Sequence, residues 1–155
     1  MTRSLSVSTP QEMRALGEDI GALCAVGDVI VLVGELGAGK TTLVQGLANG
    51  LGITDIITSP TFVIARVHQH PGGGPLLVHV DAYRLLGATE VDDLDLPIDL
   101  AVTVVEWGAG VVEHLSENRL TVEISHVGDS DVREVRLAGT GRWTACLNAL
   151  AGAAT

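Results

Sequence analysis

Apolar and polar positions near the start of the chain repeat at the spacing of a helix. Four apolar residues recur every three or four positions and predict one buried stripe: Met13, Leu16, Ile20 and Leu23. Thr9, Pro10 and Glu12 fit the start of this helix, since they supply an N-cap, a proline at the first helical position and an acid at the third. Gly27 and Asp28 follow the stripe and break the helix.

A continuous apolar run comes next, followed by a second helical pattern. Residues 29–33 contain only valine, isoleucine and leucine, which is typical of a strand buried on both faces in a parallel sheet. After a glycine-rich turn, a helix is predicted from about Lys40, with Gly50 and Gly52 as its stop. Its apolar stripe consists of Leu43, Val44, Leu47, Ala48 and Leu51.

The rest of the chain alternates between strand and helix patterns. Five further apolar segments have the length and composition of strands: 62–67, 76–80, 102–105, 120–124 and 132–137. The last two predict a hairpin across Gly128 and Asp129, and helices are predicted within 87–100 and over about 143–151. Helices interleaved with apolar strands predict a three-layer α/β fold. Because no repeat or long linker divides the chain, we expect residues 1–155 to form one domain.

Composition and charge narrow the classes of function. The 155 residues are 46% apolar and 18% charged, which is typical of a globular domain rather than of a disordered tail or a fibre. With 9 Lys and Arg against 19 Asp and Glu, the net charge is −10. Such a chain alone is a poor binder of nucleic acids or anionic membranes, because it repels their phosphates. Any role with nucleic acid therefore requires a basic partner.

Two further patterns point to the cytoplasm. No apolar segment approaches the ~20 residues of a membrane-spanning helix, and residues 1–11 lack the apolar segment of a secretory signal. Cys24 and Cys146 match no metal or redox spacing and are interpreted as reduced core residues. We therefore expect a soluble cytoplasmic protein without a membrane partner.

One motif carries specific chemistry. Residues 34–41, Gly-Glu-Leu-Gly-Ala-Gly-Lys-Thr, match the phosphate-binding pattern G-x-x-x-x-G-K-[ST] at every fixed position. The glycines let backbone amides turn around phosphate oxygens, and the following helix directs its positive N-terminus at the same anion. Lys40, the only lysine beside eight arginines, would reach the β- and γ-phosphates, and the Thr41 hydroxyl would join the coordination of Mg²⁺.

Two carboxylates can complete such a site. Asp81 and Glu106 each follow a predicted strand directly. Because ligands bind at the carboxyl ends of parallel strands, both acids should emerge beside the phosphate loop, where a carboxylate holds the metal ion or its waters. Either acid could orient an attacking water, and the sequence leaves that choice open. His68, His70 and His79 have no spacing typical of a zinc site.

Four ordered blocks of the chain carry a family resemblance. They are residues 34–42, 59–62 (Ser-Pro-Thr-Phe), 79–85 (His-Val-Asp-Ala-Tyr-Arg-Leu) and 105–107 (Val-Glu-Trp). In these blocks the chain resembles the TsaE (YjeE) family, small P-loop ATPases of bacterial tRNA threonylcarbamoyladenosine synthesis. The resemblance implies a P-loop NTPase-like fold, with a mainly parallel sheet, antiparallel additions at one side, and flanking helices. It also implies a subunit that binds ATP and ADP, couples Mg-ATP hydrolysis to turnover of a TsaB–TsaD complex, and meets tRNA only indirectly through those partners.

The resemblance also assigns roles to individual residues. The phosphates of ATP are expected on the loop, at Gly37, Ala38, Gly39, Lys40, Thr41 and Thr42. Thr41 and Glu106 are expected on Mg²⁺, and Thr61 as a sensor of the γ-phosphate and the metal. Asp81 matches the essential acid of the family and would act in catalysis with Lys40, Glu106 and Thr61. The remaining nucleotide contacts are expected from Trp107, Thr9, Gln11 and Arg133.

Two other functions could use the same loop. A small-molecule kinase needs an acceptor pocket and usually an arginine-rich lid, and the short middle segment with scattered arginines offers no such lid. A nucleotide-sensing interaction module would bind the nucleotide without significant catalysis, and the two strand-end acids argue against it. A GTPase needs a second lysine in its guanine-binding motif, which the sequence lacks. The expected activity is therefore that of a P-loop ATPase that is slow alone and activated by partners.

Overall fold

One seven-stranded sheet organises the protein. The computed structural model describes residues 2–35, 37–55, 57, 65–82, 92–107, 110 and 112–153. The strands are β1 (Thr2–Val7), β2 (Val29–Gly34), β3 (Ala65–His68), β4 (Leu76–Asp81), β5 (Ala101–Glu106), β6 (Arg119–His126) and β7 (Arg133–Gly139). Their order across the sheet is β1-β7-β6-β2-β5-β4-β3.

The four central strands run parallel, as predicted. β2 pairs with β6 on one side and with β5 on the other, and β5 pairs with β4. Antiparallel pairs flank this centre at both edges, with β3 against β4 at one edge and β7 and β1 beyond β6 at the other. The resemblance implied such additions at one side only. β3 adds the second because the short connection 69–75 returns the chain directly beside the preceding strand.

Three α-helices of the described ranges pack against the same face of the sheet: α1 (Pro10–Leu23), α2 (Lys40–Leu51) and α3 (Trp143–Ala153). α1 begins as predicted, because the Thr9 side chain accepts a hydrogen bond from the Glu12 amide. The Glu12 carboxylate in turn accepts one from the Ser8 amide at 2.7 Å. Among the described residues, no helix is long and apolar enough to cross a bilayer.

Alternate residues of the central strands supply two separate cores. Ile30 and Leu32 of β2 face the helices, whereas Val29 and Val31 face the opposite side. The opposite side is covered by apolar residues of 94–96 and 112–115. The sheet therefore lies between two covering layers, in agreement with the predicted three-layer α/β fold.

The middle of the chain differs from the predicted pattern in detail. β3 ends one residue beyond the predicted strand 62–67, and residues 58–64 lie outside the described part. Within the predicted helical stretch 87–100, residues 92–93 are α-helical and Ile98–Leu100 form a 3₁₀ turn, and residues 87–91 lie outside the described part. The helical residues 92–93 end before Asp95, whose φ of 50° lies in the left-handed region and does not continue a helix.

The first strand, β1, was not predicted from the sequence. Its residues are mostly polar and exposed, and Val7 is the one that is buried. β1 lies antiparallel along β7, with Leu5 opposite Val135 and Val7 opposite Arg133. A strand at the edge of a sheet needs little apolar content, since its hydrogen bonds with one neighbour hold it in place. The hydrophobic pattern of the sequence therefore did not predict β1.

Glycines allow α1 and α2 to pack with their backbones in close contact. A Cβ atom built at Gly17 or Gly21 of α1 would overlap backbone carbonyl oxygens of α2, and one at Gly46 or Gly50 of α2 would overlap those of α1. Gly50 is therefore a packing residue, and its predicted role in ending the helix is wrong. α2 ends at Gly52, where φ is 98°.

Replacing Gly46 by alanine should destabilise the protein by about 1–3 kcal/mol, the usual effect of overpacking. Helix propensity alone predicts the opposite sign, because alanine is favoured over glycine by about 1 kcal/mol inside a helix. The measurement is the free energy of unfolding in urea. Asp19→Ala, at an exposed position of α1, is the matched control and should stay within about 0.5 kcal/mol of wild type. A stabilised Gly46→Ala variant would contradict the close approach.

Candidate nucleotide-binding site

The glycine-rich loop joins β2 to α2 at the carboxyl edge of the sheet. Gly37 and Gly39 have φ of 78° and 112°, values that side-chain-bearing residues rarely adopt. Gly34 approaches β6 so closely that a Cβ there would lie 2.9 Å from the Ile124 carbonyl oxygen. Gly39 is the N-cap of α2 and supplies no side-chain cap, so the first amides of the helix are left for an anion.

Lys40, the first residue of α2, is held inside the loop. It is 7% exposed, and its Nζ donates hydrogen bonds to the carbonyl oxygens of Gly34 at 2.6 Å and Glu35 at 3.1 Å. Nζ also lies 4.3 Å from the centre of the Trp107 ring, in a cation–π contact. Burial lowers the pKa of Lys40, and the negative charges of Glu106 and Asp81 raise it in part. The ammonium is therefore enclosed by groups of the chain that phosphate oxygens could replace.

The two predicted acids lie side by side. Asp81 ends β4 and Glu106 ends β5, and the two residues are direct partners in the parallel ladder. Both are close enough to Lys40 to act on its pKa. Glu106 is 5% exposed, whereas Asp81 is half-buried. The structure thus brings the strand-end carboxylates and the loop lysine into one cluster, the arrangement expected at the carboxyl edge of a parallel sheet.

The donor set of this cluster suits a magnesium ion. Thr41 lies in the first turn of α2, one residue after Lys40, and offers a hydroxyl; Glu106 and Asp81 offer carboxylates. Mg²⁺ prefers such oxygen ligands and is usually held by one or two protein groups together with phosphates. In the described part of the chain, no three His, Cys, Asp or Glu residues gather as a metal site of their own. These protein oxygens, together with phosphate oxygens, would fit the coordination that Mg²⁺ prefers.

A histidine that the sequence analysis did not select contacts this cluster. His79 of β4 is fully buried, and its Nε2 lies 2.6 Å from Oε2 of Glu106. The signal was present in the sequence: in a strand, His79 and Asp81 share a face, because side chains alternate. His68 and His70 lie away from the cluster, His68 against Asp55 and His70 against the Leu51 carbonyl oxygen.

Trp107 takes an unusual backbone conformation directly after Glu106. Its φ is 62°, which is uncommon for a residue with a large side chain. Its amide donates a hydrogen bond to the Leu32 carbonyl oxygen at 2.9 Å, so the chain stays attached to β2 through this turn. In this conformation the indole ring lies beside the Lys40 ammonium.

A cavity of about 470 Å³ lies on the other side of the loop. It is formed by the start of α1, the loop with the first turn of α2, and the start of β7. Seven residues of the expected nucleotide site line it: Thr9, Gln11, Gly37, Ala38, Gly39, Thr42 and Arg133. Thr9, Gln11 and Arg133, three of the nucleotide contacts that the resemblance implied, therefore lie beside the loop. Thr61 lies outside the described residues.

Comparisons with known proteins show which family the chain is similar to. The sequence model of the family "Threonylcarbamoyl adenosine biosynthesis protein TsaE" matches residues 7–135. The tRNA threonylcarbamoyladenosine biosynthesis protein TsaE of Streptomyces coelicolor is 55% identical over 148 residues, which cover 90% of this chain and 100% of that protein. The protein of the same description from Mycobacterium tuberculosis is 47% identical over 132 residues, 79% of either chain. The crystal structure of Bacillus subtilis YdiB superposes with a TM-score of 0.79 at 33% identity, covering 100% of this chain and 97% of that one.

Two glycine substitutions should distinguish an effect of loop geometry on ATP binding from an effect of backbone strain on stability. Gly39→Ala should lower stability by about 1–2 kcal/mol, because a left-handed conformation disfavours a Cβ by that amount. It should also weaken ATP binding, because relieving the strain at this φ of 112° changes the backbone of the loop.

Gly27→Ala is the matched control, because Gly27 has φ of 91° and open space around it. It should lose comparable stability and keep the ATP affinity of wild type. Unfolding in urea and calorimetric ATP titration measure the two effects. Equal ATP affinities in the two variants would contradict a role of Gly39 in shaping the site.

Proposed function

Because this chain belongs to the TsaE family of threonylcarbamoyladenosine biosynthesis proteins, we propose that it is the subunit that binds and hydrolyses Mg-ATP for that modification of tRNA. One observation carries the proposal. Lys40, the only lysine of the chain, is buried at the start of α2 between a glycine-rich loop and two strand-end carboxylates. This combination of groups fits a nucleotide phosphate.

The loop and Lys40 bind the phosphates. The amides at the start of α2 point toward the loop, and the helix dipole favours an anion at the same place. Nζ of Lys40 leaves the carbonyl oxygens of Gly34 and Glu35 for the β- and γ-phosphates, because a charge-assisted hydrogen bond is stronger than one to a neutral carbonyl. The cavity lined by Thr9, Gln11 and Arg133 receives the nucleoside side of ATP or ADP.

The acids and Thr41 serve the metal ion and the water. Thr41 and Glu106 would hold Mg²⁺, which, when bound, neutralises charge on the phosphate oxygens. Asp81 or Glu106 accepts a hydrogen bond from the attacking water and so orients it toward the γ-phosphate. Thr61 acts as the sensor of the γ-phosphate and the metal. The enclosed position of Glu106 supports a dry site, in which such electrostatic contacts are strong.

Partners complete the activity. We infer that TsaB and TsaD are the proteins with which this subunit works, and that ATP hydrolysis drives turnover of their complex. The net charge of −10 supports a division of labour in which those partners hold the tRNA. Hydrolysis by the isolated chain should be slow, since small P-loop proteins commonly wait for a partner group that stabilises the transition state.

Lys40→Ala should abolish ATP binding and phosphate release, because it removes the cation from the loop. Wild type should bind Mg-ATP and release phosphate at a rate below the ~1–100 s⁻¹ typical of kinases. Arg66→Ala, which removes an exposed cation on β3, is the control and should match wild type. Calorimetric ATP titration and a phosphate-release assay measure both properties. ATP affinity and turnover retained in Lys40→Ala would contradict the site.

Adding purified TsaB and TsaD should raise the rate of phosphate release by at least about tenfold, because partner groups supply the missing transition-state stabilisation. The measurement is the same assay with Lys40→Ala plus the two partners as its blank. ATP binding without any turnover, alone or with partners, would favour the nucleotide-sensing module. Transfer of phosphate to a small acceptor would favour the kinase.

A further inference from the structure

Of the three histidine–carboxylate contacts in the described part of the chain, the one between His79 and Glu106 is the most buried. The His79 side chain is 0% exposed and that of Glu106 is 6% exposed. The other two histidine–carboxylate contacts, His68 with Asp55 and His114 with Asp92, involve carboxylates that are more than half exposed. A carboxylate that exposed remains hydrated, so these two contacts call for no special role.

The chemistry of the pair fixes the hydrogen bond between the two side chains. An ionised carboxylate can only accept, so Nε2 of His79 donates to Oε2 of Glu106 at 2.6 Å. Nδ1, at the other side of the ring, is buried and has no partner among the described residues. A proton on Nδ1 would be an unsatisfied buried donor, which is unfavourable. The ring is therefore held as the tautomer with its proton on Nε2.

The sheet places this contact at the metal side of the site. In the ladder, His79 is paired with Val104 and Asp81 with Glu106, so His79 reaches Glu106 diagonally across one step of the strands. His79, Glu106 and Asp81 lie on the face that carries the helices, since Leu77 and Val104, which share that side, belong to the helix-facing core. The histidine thus contacts the Glu106 carboxylate from a position two residues before the end of β4.

We propose that His79 is a positioning residue that fixes the Glu106 carboxylate for Mg²⁺ coordination. The inference rests on the proposed function and extends it to a residue outside the nucleotide contacts. With Oε2 held by His79, the carboxylate rotates less, and its other oxygen, Oε1, is presented to the metal side. Ligating carboxylates are commonly oriented in this way by an outer hydrogen bond, and loss of such a partner weakens metal binding or activity by about 10–100-fold.

A purely structural role explains the pair less well. Replacing both partners of a buried hydrogen bond by apolar groups of the same shape can be nearly neutral or stabilising, so stability alone is a weak reason for this pair. The neighbours of His79 in β4, Val78 and Val80, are buried apolar residues, and an apolar side chain at 79 would continue that pattern. The polar ring at this position is explained by its role as the hydrogen-bond donor to Glu106.

Two amide substitutions test the position of the donor. In His79→Gln the side-chain amide nitrogen reaches the place of Nε2, whereas in His79→Asn it reaches only the place of Nδ1. Mn²⁺, which binds similar oxygen ligands, serves as the probe, and its binding to the protein–ADP complex is followed by electron paramagnetic resonance. His79→Asn should weaken Mn²⁺ binding by about 10–100-fold, and His79→Gln should restore it to within about threefold of wild type.

Two further measurements separate positioning from folding and from nucleotide binding. ADP affinity without metal and the thermal unfolding temperature should be similar in His79→Gln and His79→Asn, because neither change touches the loop. Nitrogen-15 NMR of the imidazole in the nucleotide-free protein should show the proton on Nε2, with slow exchange that becomes fast in Glu106→Ala. His79→Leu, which keeps the apolar pattern of β4, should fold and should weaken Mn²⁺ binding as His79→Asn does.

The outcomes distinguish this inference from the proposed function. Wild-type protein that binds ADP and Mn²⁺, together with equal Mn²⁺ affinities in the Gln and Asn variants, would overturn the role of His79 alone. A proton found on Nδ1 would overturn it as well. Wild-type protein that binds no nucleotide would overturn the proposed function and, with it, the metal site that His79 is proposed to support.

Discussion

The burial of one ammonium group determines how the site is built. Nζ of Lys40 is enclosed where β2, β5 and β4 end, and a buried charge is tolerated only when polar partners surround it. Those partners come from separate parts of the chain: loop carbonyl oxygens after β2, carboxylates at the ends of β4 and β5, and the ring of Trp107. They meet only because β5 lies between β2 and β4 in the sheet. The strand order is therefore the precondition of the chemistry.

The close contact of α1 and α2 links this charge to the cavity beside the loop. Gly17 and Gly46, on opposite helices, let the two backbones touch, so the position of α2 also sets that of α1. The start of α1 brings Thr9 and Gln11 to the loop, and Arg133 arrives from β7. The two helices thus contribute to both parts of the site: α2 begins at Lys40, and α1 borders the cavity.

The sequence predicted what local patterns can encode. The start of α1 follows from a capping box, the loop from its glycines and lysine, and the acids from strand ends, because each depends on neighbours along the chain. Features that depend on distant neighbours were missed. The edge strand β1 is defined by pairing with β7, and Gly50 is required by the backbone of α1 rather than by the end of its own helix. His79 also needed a partner on another strand before its role was visible.

Two buried charges at opposite ends of β2 show how the fold separates structure from function. Asp28, before β2, is fully buried, and its Oδ2 accepts hydrogen bonds from the Ala25 amide and from the Arg142 side chain. Burial raises the pKa of Asp28, and these two partners lower it in part. Both of these partners are fixed parts of the chain.

At the other end, the partners of Lys40 are loop carbonyl oxygens and an aromatic face, which a phosphate group can displace because its charged oxygens bind an ammonium more strongly. Both buried charges need polar partners. The partners of Asp28 are permanent, whereas those of Lys40 can be exchanged for a ligand. An exchangeable partner is what a binding site requires, since the ligand must take over contacts that the empty protein already satisfies. The end of β2 that carries Lys40 is therefore suited to the proposed phosphate binding, and the end that carries Asp28 connects the sheet with α1 and the start of α3.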